Sequence, residues 1–183
     1  MTFPKPLVEK FKETNYNNKK GFWEHPKAFN KGEYCRIMAS SVEFKNRINE
    51  LIIFDEKEKV KTCKIIGVDA HTITLAKEYG VIPSTRSLIK IADYCKTSVD
   101  FLLGYTEDDS YVAPKTYSTF AQRLKNLIEQ DENTPYKLAQ KWHLDKSYIT
   151  KWLQGKYVAN VSALEIIADY FGVSIDYLLG RAD

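Results

Sequence analysis

This sequence predicts an all-α chain: two five-helix bundles in tandem behind an N-terminal extension. Three observations carry that expectation. "FKNRINELI" from Phe44 and "LIKIADYCKTSVDFLLG" from Leu88 return as "FAQRLKNLI" from Phe120 and "LEIIADYFGVSIDYLLG" from Leu164. Both pairs lie at one offset of 76 residues, so 44–104 slides onto 120–180 without a gap, and two copies of one fold is the economical reading. Within each copy, apolar residues recur at helical spacing, and no stretch shows strand alternation bounded by hairpin turns.

Taken in order, residues 1–39 read as a basic and aromatic extension, with eight basic and four acidic groups and with Phe22, Trp23, Phe29 and Tyr34. So many aromatics are unusual in a disordered tail. Packing on the first bundle or on another subunit is the expectation, and a minor-groove arm is the sharper alternative. "EYCRIMASSVEF" reads as a helix running into the first bundle helix. The first bundle, 40–105, has stripes at Phe44, Ile48, Leu51 and Ile52, then at Leu88, Ile91, Ala92 and Cys95. Residues 106–116, within the polar run "YTEDDSYVAPKT", read as a linker. Twelve extended residues reach roughly 40 Å, comparable to the roughly 34 Å between half-sites one turn apart on a duplex.

The second bundle, 117–183, opens on the stripe Phe120, Leu124, Leu127, Ile128. Thr134 followed by Pro135 is a helix start, because proline suits the first helical position. Asp145 caps the next helix. Leu164, Ile167, Ala168 and Phe171 form a fourth stripe, and Ser174 to Leu179, stopped by Gly180, a short fifth helix. Each copy of about sixty residues is near the lower limit for folding alone, which favours mutual support.

Composition narrows the function. A hydrophobic fraction of 44% and 13% aromatics supply real cores. No apolar run approaches the roughly 18 residues of a membrane span, and "MTFPKPLVEKFKET" has no secretion-signal core, so a cytoplasmic, nucleoid-associated protein is expected. Cys35, Cys63 and Cys95 are an odd, scattered set without CxxC, and His25, His71 and His143 are scattered too. That pattern suits a reducing compartment and points to no disulfide framework, metal site, cofactor or catalytic triad. No small-molecule ligand is evident, and no enzymatic activity is expected. The net charge of +3 is modest. Its distribution says more: five lysines (137, 141, 146, 151, 156) stand between Pro135 and Lys156 against the single acid Asp145. A small domain makes a cationic face in this way without a high pI.

"DKSYITKWLQGK", 145–156, is an amphipathic helix in this reading. Ile149, Trp152 and Leu153 are its buried side, and Trp142 shares that phase with Leu138, so both tryptophans belong to the core. "YKLAQKWHLDKSYITKWLQGK" followed by "ALEIIADYFGVSIDYLLG" resembles the Cro and lambda-repressor-like helix-turn-helix domain. The likeness covers about 61 residues per copy, with the first copy degenerate. It implies two lambda-repressor-like five-helix bundles and, in the second, a recognition helix in the major groove of double-stranded DNA. Carried over by position, the implied base contacts are Lys146, Ser147, Tyr148, Thr150 and Lys151. The implied phosphate contacts are Thr134, Gln154 and the amides opening the helix at Tyr136, with Lys137 and Lys156 beside them.

Four positions depart from the family pattern. His143 stands where glycine is common in the turn. Ile128 and Leu153 stand where an Arg–Glu pair is frequent, and an apolar pair is an acceptable replacement. Ala159 stands where proline often follows the recognition helix. In the first copy the counterparts of Lys146, Ser147, Tyr148 and Lys151 are Ala70, His71, Thr72 and Leu75, a weakened reading head. Gly67 and Pro83 keep its scaffold, and Lys57, Lys59, Lys61 and Lys64 remain as phosphate candidates, with Glu78 an acid nearby. An apolar face around Leu75 and Tyr79 suits a protein interface. The expectation is a bacterial or phage-type transcriptional regulator, in first place a repressor, that reads the major groove with its second copy and pairs as a homodimer or through its first copy. The alternative is a protein-interaction or antitoxin-like adaptor on helix-turn-helix scaffolds. The operator, the regulated gene and any effector are not encoded legibly.

Overall fold

The computed structural model of the protein describes residues 40–55, 57–131 and 133–183. The N-terminal extension, with its proposed packing or minor-groove arm, lies outside the described residues. Among the described residues ten helices follow one another: α1 Val42–Leu51, α2 Lys59–Ile66, α3 Ala70–Tyr79, α4 Thr85–Cys95, α5 Val99–Leu103, α6 Phe120–Gln130, α7 Pro135–Lys141, α8 Lys146–Leu153, α9 Val161–Phe171 and α10 Ile175–Leu178. The all-α expectation is met; among the described residues the one extended pairing is an isolated bridge between Ser40 and Val81.

Helix starts are set by side chains that accept from a free amide one turn in. Ser41, Asp69, Ser84, Ser98, Thr119, Thr134, Asp145, Asn160 and Ser174 all do this, satisfying donors that the helix itself cannot. Thr119 and Gln122 form a reciprocal capping box at α6. Ser41 corrects one expectation: it caps α1, and Ser40 pairs with Val81, so no helix runs from upstream through these two residues.

In the first half α1 packs on α3 and α5, and α2 on α3 and α4; in the second, α6 packs on α8 and α10, and α7 on α8. Phe44, Ile48, Leu88, Ile91 and Leu102 are sealed in the core, as are Leu124, Leu138, Ile149, Leu164 and Ile167. Two arginines 76 residues apart lock these layers in the same manner. The Arg47 guanidinium lies 4.0 Å over the Phe101 ring and donates to the carbonyls of Phe101 and Thr106 and to Glu107. The Arg123 guanidinium lies 4.3 Å over the Tyr177 ring, donates to the Ala182 carbonyl at 3.0 Å and reaches Asp183 at 3.8 Å.

The two halves belong to one compact unit and meet at α5 and α10. The contact is reciprocal. Asp100 N donates to Asp176 Oδ2 at 2.9 Å, and Asp176 N donates to Asp100 Oδ2 at 2.8 Å. Each carboxylate thus covers free amides of the opposite helix start. Around this pair Arg181 donates to Asp176 at 2.8 Å, to Asp93 and to the Thr97 carbonyl at 3.0 Å, while the Tyr105 hydroxyl donates to Glu165. Thr85 Oγ1 donates to the Ala159 carbonyl at 2.7 Å, tying together the segments that leave α3 and α8. Residues 106–116 carry no helix, yet they are not a loose tether, because Arg47 and Thr97 hold Thr106, Glu107 and Asp109.

Candidate nucleic-acid interface

The site is built from α7, the turn after it, and α8. Thr134 Oγ accepts from Lys137 N at 3.4 Å, Pro135 occupies the first turn, and α7 ends at the buried Trp142. His143 then takes a left-handed backbone, φ 53°. The residue 76 positions earlier is Gly67, φ 74°. A side chain there is uncommon, although histidine is among the residues that tolerate it. Leu144 N closes the turn on the Ala139 carbonyl at 2.9 Å, and Asp145 caps α8 through Ser147 N at 2.8 Å.

Ile149 and Trp152 turn inward, with Trp152 edge-on to Phe120 at 6.2 Å. At helical spacing this leaves Lys146, Ser147, Tyr148, Thr150, Lys151 and Gln154 outward, and all six are exposed. The Tyr148 ring stacks on Trp152 at 6.1 Å, and the Lys151 ammonium stands 5.8 Å from the Tyr148 centroid. Thr150 Oγ1 donates to the Lys146 carbonyl at 3.2 Å, which leaves its lone pairs and methyl to a partner.

Thr134, Tyr136, Lys137 and Lys156 are also exposed, and the Tyr136 hydroxyl accepts from Gln140 Nε2 at 3.2 Å. Lys137, Lys146, Lys151 and Lys156 stand in no salt bridge among the described residues. Lys141 differs from the other four lysines of this stretch. Its ammonium donates to the Tyr170 hydroxyl at 3.2 Å and lies 5.2 Å from that ring's centroid, and Tyr170 donates onward to Asp131 at 3.0 Å. Amide and side-chain donation from Asn133, then Tyr170 and Lys141, hold the Asp131 carboxyl below the usual carboxylate range. Lys141 is exposed like the other four, but its ammonium is engaged by Tyr170. Sequence reasoning also passed over Tyr157, 63% exposed directly after Lys156; an aromatic beside a lysine just past the helix was the available signal.

In the first half the matching surface is poorer in donors. Ala70 is half-buried against the core and Leu75 is half-buried. His71 is exposed, and Thr72 is half-buried with its hydroxyl donating to Asp69 at 2.6 Å. Thr74 copies Thr150, donating to the Ala70 carbonyl at 2.9 Å. Lys57, Lys61 and Lys64 are exposed and, with Val60 and Ile65, line a shallow hollow on α2. Lys61 occupies the position of Lys137, 76 residues earlier.

Among the described residues no group of His, Cys, Asp and Glu side chains is arranged to hold a metal ion, and no helix is long and apolar enough to cross a membrane. Residues 124–178, which hold α7, the turn, α8 and the helices that brace them, match the helix-turn-helix family model. No curated protein and no solved structure matches the chain.

Proposed function

We propose that this protein is a sequence-specific transcriptional regulator, acting as a repressor, that inserts α8 into the major groove; the match of residues 124–178 to the helix-turn-helix family model supports the reading. The observation that carries the reading is the outward face of α8: Lys146, Ser147, Tyr148, Thr150 and Lys151 are exposed on the helix that such domains present to DNA. Lys146 and Lys151 would donate to guanine O6 and N7, and Ser147 and Thr150 to either kind of base edge. Thr134, Tyr136, Lys137, Gln154 and Lys156 would hold the flanking phosphates, which set position and carry no sequence information. Such work places the protein on the nucleoid, in the cytoplasm.

Selection of bound fragments from random duplex DNA tests this. A defined preference should emerge, and Lys146→Ala or Lys151→Ala should cost about 1–3 kcal/mol and relax one base pair of it. Unchanged preference in both variants, measured by competition binding, rejects the assignment. A second reading, a protein-interaction or antitoxin-like adaptor, is favoured by one observation only. Val60 and Ile65 are 56% and 65% exposed among the α2 lysines. A stoichiometric protein partner with no retarded DNA at low salt would select it.

A further inference from the structure

The junction between the halves has the form of a symmetric subunit interface inside one chain. In a two-fold interface residue i contacts j while j contacts i, and Asp100 and Asp176, 76 positions apart, do so through reciprocal amide–carboxylate hydrogen bonds of 2.9 and 2.8 Å. The flanking contacts also cross in both directions: Arg181 of the second half reaches Asp93 and Thr97 of the first, and Tyr105, 76 residues before Arg181, reaches Glu165 of the second. Thr85 and Ala159 join the segments that follow α3 and α8, so the junction also ties the two helix-turn-helix exits to each other. The surface that forms this junction is consumed within the molecule. The two outward heads, meanwhile, are chemically unlike: Lys146, Ser147, Tyr148 and Lys151 in one, Ala70, His71, Thr72 and Leu75 in the other. What both keep is an exposed lysine at the same place on the preceding helix, Lys61 and Lys137.

We propose that the chain is its own dimer: one molecule straddles one duplex with both halves, and the site it selects is asymmetric, one half read by α8 and the other held by the lysines of α2 with little base discrimination by α3. This rests on the DNA-binding reading above. A palindromic operator mirrors two equal heads; two unequal heads on one chain predict a site without that symmetry. It also means that a homodimer is not needed for two-sided contact.

The test uses the full chain on the duplex recovered by selection, with stoichiometry from sedimentation velocity and backbone contacts from hydroxyl-radical footprinting. The expected result is one chain per duplex, with protection over two segments about one helical turn apart and sequence preference concentrated in one. Lys61→Gln with Lys64→Gln, both at exposed positions, should remove protection from the less discriminating segment. The log–log salt slope should become shallower by about two, since each phosphate contact contributes about 0.9, while the base preference stays the same. Two chains on a palindrome, protection of a single segment, or a footprint and slope unmoved by the double substitution would overturn this proposal and leave α8 as a DNA reader. Absence of DNA binding altogether would remove both.

Discussion

Arg47 and Arg123 show how much of the scaffold rests on single side chains. Arg47 is buried, with donors committed to two carbonyls and two carboxylates. Deleting it leaves the Thr106 carbonyl without this donor and the Phe101 carbonyl with the Gly104 amide alone. Arg47→Ala should therefore cost about 2–3 kcal/mol, the range for lost hydrogen bonds to a charged group, read as a lower midpoint in denaturant. Arg47→Lys should recover little of this, since an ammonium cannot reproduce the planar fork over Phe101. A loss below about 0.5 kcal/mol for Arg47→Ala, the size of an ordinary surface substitution, would contradict the role. In the sequence the pair is visible only as an arginine recurring in the repeat. Nothing in its local pattern announces that the side chain turns inward, because its partners are carbonyls some fifty residues away and carbonyls leave no mark on residue type. Lys141 fails to be legible for a related reason: Tyr170, which engages it, belongs to a helix 29 residues on.

At the level of elements the sequence was far more readable. Thr134 and Asp145 cap the helices expected of them, because capping is local chemistry between a side chain and amides two or three residues ahead. The inward phase of Ile149 and Trp152 was equally local. The turn between α7 and α8 holds one of the two non-glycine residues with a left-handed backbone among the described residues, the other being Lys96. His143 holds φ 53° where the first half uses Gly67, so His143→Gly should stabilise the protein by about 0.5–1 kcal/mol, the relief of a left-handed side chain less the added freedom of the unfolded glycine. Thermal denaturation checks it, and a destabilised variant would show that the imidazole has a role which the geometry does not reveal. The start of α1 was misread because "EYCRIMASSVEF" has helical composition, whereas Ser41 is used as a cap and Ser40 as a partner for Val81.

For the whole molecule, the meeting of the halves was the least legible feature. The repeat announced two units, and the polar run between them suggested a tether, but the reciprocal use of Asp100 and Asp176 depends on two distant helix starts facing each other. This junction should respond to pH. Burial, then the hydrogen bond with the Asp176 carboxyl, pushes the Asp100 carboxyl up to about 7, while Asp176 has the Arg181 guanidinium at 2.8 Å. An unfolded aspartate titrates near about 3.9. Between these values the folded state binds the extra proton, so the contribution of Asp100 to stability is full below about pH 4 and is lost as pH rises through about 7. Asp100→Asn, whose amide oxygen can still accept from the opposite helix, should remove that dependence. The thermal midpoint of the natural chain should fall relative to the variant between about pH 4 and 7, and parallel curves would contradict the coupling.

Salt enters at the same scale. Should all five exposed lysines between Pro135 and Lys156 neutralise phosphates, their share of the log–log salt slope of binding is about −4.5, and the lysines of α2 would add to it.

Guanine N7 methylation of the selected duplex before binding tests the central claim most directly, because that atom lies only in the major groove. If α8 enters that groove with Lys146 and Lys151 on base edges, methylation at particular guanines should abolish binding, and Lys146→Ala or Lys151→Ala should make binding insensitive to one of them. Binding that survives methylation at every guanine of a site containing several would contradict it.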